Sequence, residues 1–326
     1  MPTPAQPTPP PPPRSLVTLL TDLIDYAGLF PPAKLAMPAA AEAYNRARIS
    51  EHEWALGRFV CPAAQLEDFS KAAAALMPGT LATSGYQEQL DAGSPWRVSA
   101  LVDATTPEAF EADIDHIFAF NARHETFDAG LGFCDMIEVK VPSPDRIDAC
   151  MDRLPEDIYP FFEFPVDADC RGYVAALAGE RCAAKIRTGG VLSGLFPTPD
   201  EVATFLAACA AADVPFKATA GLHHPIRARN HLTFEPDSPT CTMHGFLNLF
   251  IAAAFLKARK VDHAGAVRIL SEEDASAFTF ADDFLNFREF GIETAQLAHF
   301  RETFALSFGS CSFDEPIADL AKLKLL

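Results

Sequence analysis

From residue 58 onward, short apolar or β-branched runs alternate with amphipathic, alanine-rich stretches. Runs of the first kind fit strands and stretches of the second kind fit helices. RFVCP (58–62), RVSALVD (97–103), MIEVKVP (136–142), PFFEFPV (160–166), AAKIR (183–187), PFKAT (215–219), AFTF (277–280) and ALSFG (305–309) read as strands. LEDFSKAAAALM (66–77), PEAFEADIDHIFAFNARH (107–124), PDEVATFLAACAAA (199–212) and TAQLAHFRETF (294–304) read as helices. Thr106-Pro107-Glu108 and Thr198-Pro199-Asp200-Glu201 support two of them, each setting a capping hydroxyl before a proline and acids in the first turn. The apolar stretch FLNLFIAAAFL (246–256) is too short to span a bilayer and reads as a buried helix.

Strands that alternate with helices, over connections long enough to cross back, form a parallel sheet. Eight strands over this length predict an α/β fold of the (β/α)8 TIM-barrel kind. The barrel has an N-terminal extension and an insertion before the last strands. A doubly wound open sheet is the alternative, but the glycine-rich turn GxGxxG of a dinucleotide fold is absent. The segment LIDYAGLFPPA (23–33) reads as an extra strand or a lid over one barrel end. Residues 1–13 hold eight of the 27 prolines and read as an extended tail, leaving 14–326 as one domain.

Composition narrows the function. With 44 acidic against 26 basic residues the formal charge is -18, which repels phosphate backbones and anionic lipid, so neither nucleic acid nor a membrane is an expected partner. The eight cysteines include no CxxC pair and several lie in apolar runs, as expected of reduced thiols in a cytoplasmic protein. The start of the chain has no apolar core of a secretory signal. The 27 phenylalanines read mostly as core and inter-helix packing, and their concentration at 278–308 is also compatible with a subunit interface, and so with a homo-oligomer.

Candidate chemistry comes from charges where a buried parallel strand should be apolar. MIEVKVP carries Glu138 and Lys140, PFFEFPV carries Glu163, AAKIR carries Lys185 and Arg187, and PFKAT carries Lys217. Side chains alternate along a strand, so Glu138 shares a face with Lys140, and Lys185 with Arg187. Pointed into a barrel, they converge near the carboxyl ends of the strands, where barrel enzymes place their chemistry. Two carboxylates against four cations leave a positive surplus, which suits a small anionic substrate. Burial and neighbouring cations lower a lysine's pKa, and the freed amine can attack a carbonyl to form a Schiff base.

These segments resemble the deoxyribose-phosphate aldolase family among the class I (lysine Schiff-base) aldolase barrels. CDMIEVKVP (134–142) resembles the family's strand with a catalytic aspartate, a role the resemblance assigns to Asp135. KIRTGG (185–190) resembles the Schiff-base strand and VPFKATAGLHHPIR (214–227) the strand whose lysine perturbs the first, implying Lys185 as nucleophile and Lys217 as its partner. SFGSCS (307–312) resembles the last strand and its phosphate-binding turn. The resemblance implies a lyase acting without a cofactor on a small phosphorylated or carboxylated carbonyl compound. Arg187, Gly189, Gly190, Gly309 and Ser310 would hold the anion, while Glu138, Lys140, Glu163, His223 and His224 would surround the substrate. Three features differ from the family: the His223-His224-Pro225 run, an interval of about 85 residues between Lys217 and the last motif, and the N-terminal 57 residues. Strand counting also makes Lys185 fifth, whereas class I aldolases generally carry the Schiff base on the sixth. Either an early strand is missing from the count or Lys217 is the nucleophile.

Two other readings remain at this level. His223, His224 and His244 with glutamates could bind a metal and make the barrel a hydrolase or lyase. Adjacent histidines at a strand end point opposite ways, however, and no HxH or HExxH spacing exists. The barrel could also be non-catalytic, binding an anion or a protein partner. Cys311 reads as a small packing residue.

Overall fold

The structure is a computed structural model that describes residues 11–80, 94–126, 129–165 and 169–326. Most of the proline tail (1–10) and Val166 of the fourth expected strand fall outside these residues. The chain enters through helix α1 (Arg14–Leu20) and strand β1 (Ile24–Tyr26), followed by α2 (Met37–Arg48), β2 (Leu56–Pro62) and α3 (Leu66–Ala73). Next come β3 (Trp96–Val102), α4 (Pro107–His124), β4 (Gly132–Lys140), α5 (Asp145–Met151), β5 (Tyr159–Glu163), α6 (Arg171–Leu177) and β6 (Ala183–Arg187). The expected caps form: the Thr106 hydroxyl accepts from the Ala109 N–H, and Thr198 with Glu201 closes a capping box on α7 (Pro199–Ala211). That helix leads into β7 (Phe216–Thr219).

An insertion follows. It holds a hairpin, β8 (Ala228–His231) with β9 (Thr240–Met243), then α8 (Phe246–Lys257) and α9 (His263–Ser271). A three-stranded antiparallel sheet comes next, β10 (Phe278–Phe280), β11 (Phe284–Phe287) and β12 (Phe290–Glu293). Helix α10 (Thr294–Thr303), β13 (Ala305–Ser310) and α11 (Asp314–Lys322) complete the chain.

Eight parallel strands close into a barrel in the order β1-β13-β7-β6-β5-β4-β3-β2. Closure rules out the open doubly wound sheet and corrects two strand assignments. AFTF is not a barrel strand; it is β10, paired antiparallel with β11, and its Thr279 is exposed between Phe278 and Phe280. An antiparallel sheet tolerates one solvated face, whereas a barrel strand covered by helices does not. The early strand absent from the count is Ile24-Asp25-Tyr26, so the segment 23–33 supplies the extra strand that was one of its two readings. All three residues are buried, and closure pairs them on one edge with β13 and on the other with β2. Lys185 is therefore on the sixth barrel strand and Lys217 on the seventh.

Helix α8 is apolar on every side because it is covered on every side, with Phe246 through Phe255 all buried. Phe250 stacks on Phe216 of β7 at 5.9 Å and Phe246 on Phe308 of β13 at 5.1 Å, so α8 seals the two strands that the insertion separates in sequence. Each buried ring contributes roughly 1.5–3 kcal/mol. Of the phenylalanines at 278–308, Phe278, Phe287, Phe304 and Phe308 are spent inside the fold, while Phe284 is 46% exposed. The cysteines are free thiols, and all but the half-buried Cys241 are buried. Among the described residues no helix is long and apolar enough to cross a membrane.

Candidate active site

Register decides which side chains meet. Lys140 pairs with Glu163 across β4 and β5, Glu163 with Lys185, Lys185 with Lys217, and Lys217 with Ser307. Register partners in a sheet share a face. Five successive strands therefore send a polar row into the lumen. Strand tilt in a barrel makes such a row oblique. It begins at exposed Lys140, at the carboxyl end of β4, and finishes at buried Ser307, near the start of β13.

The row is joined by two carboxylates from elsewhere in the lumen. The Lys217 ammonium donates to Asp25 Oδ2 and to Glu138 Oε1, both at 2.6 Å. Lys185 Nζ lies 2.8 Å from Glu138 Oε2 and 2.7 Å from Glu163 Oε2. Arg187 Nε donates to Glu163 Oε1 at 3.3 Å. Asp25–Lys217–Glu138–Lys185–Glu163–Arg187 thus form one chain of alternating charge, with Glu138 divided between the two amines. Hydroxyls complete it: Ser99 donates to Glu138 Oε1 at 2.8 Å and Ser307 to Asp25 Oδ2 at 2.7 Å. Asp25 Oδ1 accepts from the Arg58 N–H at 2.6 Å. Gly57 permits that approach, since a Cβ there would stand 2.1 Å from the same oxygen.

The alternation alters two expectations. Asp25 supplies a third carboxylate, so the chain is balanced, three acids against three bases of which Arg187 is exposed, and the positive surplus is confined to Lys140 outside it. Lys185 is not a lowered amine. Burial opposes its charge, but Glu138 and Glu163 more than offset that and raise its pKa. Burial likewise pushes the Glu138 carboxyl up, and the two ammonium groups outweigh it, holding the group at about 2. Glu163 is lowered for the same reason, by Lys185 and Arg187 against burial.

A cavity of about 230 Å³ opens on this chain at the carboxyl ends of the strands; Glu138, Glu163, Lys185 and Arg187 line it, and Lys217 does not. The lysine that a ligand meets is Lys185. Gly190 and Gly309 also face the cavity. Gly189 does not, because its place in the loop is taken up by packing: a Cβ on Gly221, whose φ is +72°, would stand 2.7 Å from the Gly189 Cα. Ser310 is turned into its own loop, donating to the Ser312 carbonyl at 2.7 Å.

Asp135 is placed apart from this site. The β3–β4 register passes from Val98↔Cys134 to Ser99↔Met136, leaving Asp135 as the extra residue of a bulge. Its carboxylate takes two bonds from Arg58, at 3.1 and 2.9 Å. Arg58 and Met136 line a separate cavity of about 450 Å³ at the opposite end of the barrel. The acid of β4 that meets the lysines is Glu138, three residues further on.

The histidines also separate. His223 lines the cavity, with Nδ1 3.4 Å from Glu315 Oε2 and 3.8 Å from Cys311 Sγ. Burial lowers its pKa, and the contacts with Cys311 and Glu315 reverse this, raising it to about 9. Cys311 itself lines the cavity, a position more exposed to ligand than a packing role implies. His224 turns instead to Asp319 on α11, at 2.6 Å. His244 meets the Pro197 carbonyl at 2.7 Å and is held neutral, its pKa pushed down to about 4 chiefly by burial. Among the described residues no three His, Cys, Asp or Glu side chains are grouped to hold a metal ion.

Asp25, Ser99 and Ser307 are the site residues that sequence reading missed. Asp25 carried the same signal as Glu138, a charge inside an apolar run, but in a segment, 23–33, that reads equally as a strand or a lid. The serines offered no charge to notice. No protein-family model, curated protein or solved structure matches this chain.

Proposed function

We propose that the barrel is a lyase of the class I aldolase type, in which Lys185 forms a Schiff base with a small anionic carbonyl compound. The observation that carries this reading is an amine at the floor of a carboxyl-end cavity, sharing one carboxylate with a second, deeper amine. The order of the motifs CDMIEVKVP, KIRTGG and VPFKATAG, with Lys185 on the sixth barrel strand, agrees with the aldolase resemblance.

In this proposal Lys185 passes its ammonium proton to Glu163 or Glu138 as the carbonyl enters. The free amine adds to the carbonyl carbon, the carboxyl returns the proton to the hydroxyl that leaves as water, and an iminium forms. The carboxylate then takes the proton of the β-hydroxyl, the Cα–Cβ bond breaks to an enamine and a departing aldehyde, and the enamine carbon takes that proton back. Lys217 stays hydrogen-bonded to Glu138 and Asp25. The proton shuttle that the resemblance gave to Asp135 falls to Glu138, the acid within reach of Lys185. Water re-enters to release the product and restore the amine.

Borohydride added with a panel of carbonyl compounds is expected to fix a reduced adduct on the peptide containing Lys185, and Lys185→Met is expected to abolish it. Absence of any adduct by peptide mass spectrometry would overturn the proposal. One observation favours a second reading, a barrel that binds anions without covalent chemistry: Glu138 and Glu163 raise the Lys185 pKa. Anion binding without an adduct is the outcome that selects it.

A further inference from the structure

The two sides of the cavity differ in kind. On the β1–β3 side its wall is Ala27, Phe30, Pro31, Val60 and Leu101, with no charged or hydroxyl side chain. On the β4–β6 side stands the ionic chain. Beyond Arg187 a second groove of about 340 Å³ continues from the first, sharing Glu163, Arg187 and Leu195 and adding Lys140.

The charges of this groove are unequally spent. Glu163 is divided between Lys185 and Arg187. Glu201, the other acid among the described residues of the groove, accepts at Oε2 from the Thr198 amide and hydroxyl at 2.6 and 2.8 Å. Lys140 makes no ion pair among the described residues, and Arg187 uses only Nε, leaving its two Nη nitrogens without a partner among them. Two cations with unused donors thus face one groove in a chain of net charge -18. Lys140 stands in register with Glu163, and Glu163 with Lys185, so the cationic groove begins two strands from the reactive amine.

We infer that the ligand of this site is an amphiphile: an anionic head, carboxylate or phosphate, between Lys140 and Arg187, a centre at Lys185, and a hydrocarbon substituent against Phe30, Val60 and Leu101. The inference rests on the proposed chemistry only for what occupies the centre. A polar sugar phosphate leaves the apolar wall unmatched, whereas each methylene buried there strengthens binding about fourfold.

Calorimetric titration of the full chain with acetate, hexanoate, hexyl phosphate and 1-hexanol tests it. Hexanoate or hexyl phosphate is expected to bind at least tenfold tighter than acetate and than hexanol, and the tighter of the two identifies the head group. Lys140→Gln is expected to weaken it at least fivefold. Leu101→Asp is expected to remove the advantage over acetate; should that variant fail to fold, Lys140→Gln, on an exposed side chain, still decides. Equal affinity for acetate and hexanoate, unchanged affinity in Lys140→Gln, or no binding of either six-carbon anion overturns the inference. None of these titrations needs a Schiff base. Binding without any borohydride adduct therefore defeats the proposed chemistry alone, and adducts confined to polar carbonyl compounds defeat the amphiphile alone.

Discussion

At the amino end of the barrel strands, Arg58 meets Asp135 through two bonds, and Arg97 meets Asp22. Arg301 gives its hydrogens to the carbonyls of Leu19, Thr21, Ala305 and Leu306. At the carboxyl end Glu138 is divided between Lys185 and Lys217, and Glu163 between Lys185 and Arg187. Both regions hold charge in or near the lumen, but the wiring differs. A guanidinium has a fixed fork and keeps its proton, so an arginine paired with its own acceptor is a strut. An amine is a compact charge whose proton can move to a shared carboxylate. The lower end is wired as a set of struts; in the proposed chemistry it is the upper end that exchanges a proton when a ligand arrives.

That contrast can be broken by substitution. Glu138→Gln leaves two buried ammonium groups short of a counter-charge and is expected to cost about 3–5 kcal/mol in urea unfolding. A loss under 1 kcal/mol would mean that the amines are neutral and the alternating chain is wrong. Gly57→Ala pushes a methyl group onto the Asp25 carboxylate. It is expected to cost about 1–3 kcal/mol and to shift the pH profile of adduct formation, which substitutions at the lower end should leave alone.

A pH titration sharpens the comparison further. His223 is raised from 6.5 to about 9, so its contribution to stability is complete below pH 6.5 and fades as pH rises through 9. Unfolding measured across that window should show the decline, and Glu315→Gln should flatten it. Glu138, held at about 2, makes the opposite contribution, present above its ordinary 4.5 and lost only in strong acid. The smallest effect is expected at Asp135→Asn, where one partner is 38% exposed: about 0.2–1 kcal/mol, with no loss of borohydride adduct. Loss of the adduct there would return the proton shuttle to Asp135.

Much of this site could be read in the strands themselves. Alternation put Glu138 with Lys140 and Lys185 with Arg187, and the register confirms that Lys140, Glu163, Lys185 and Lys217 share one face. The bulge at Asp135 was not legible, because an extra residue in one strand is defined only by its partner. The role of Asp25 was not legible, because the choice between strand and lid for 23–33 depends on neighbours from both ends of the chain.

The chain's own pattern determined the strands, their helices, the caps at Thr106 and Thr198, and the charges that a covered strand must account for. Those are local consequences of side-chain period and hydrogen-bonding capacity, and they need no knowledge of neighbours. The tertiary structure decided which acid serves which base: Asp25 reaches Lys217 across 192 residues and Glu138 reaches it across 79. Only a closed barrel brings β1, β4 and β7 around one lumen, and there the shortage of water forces each charge to find its opposite.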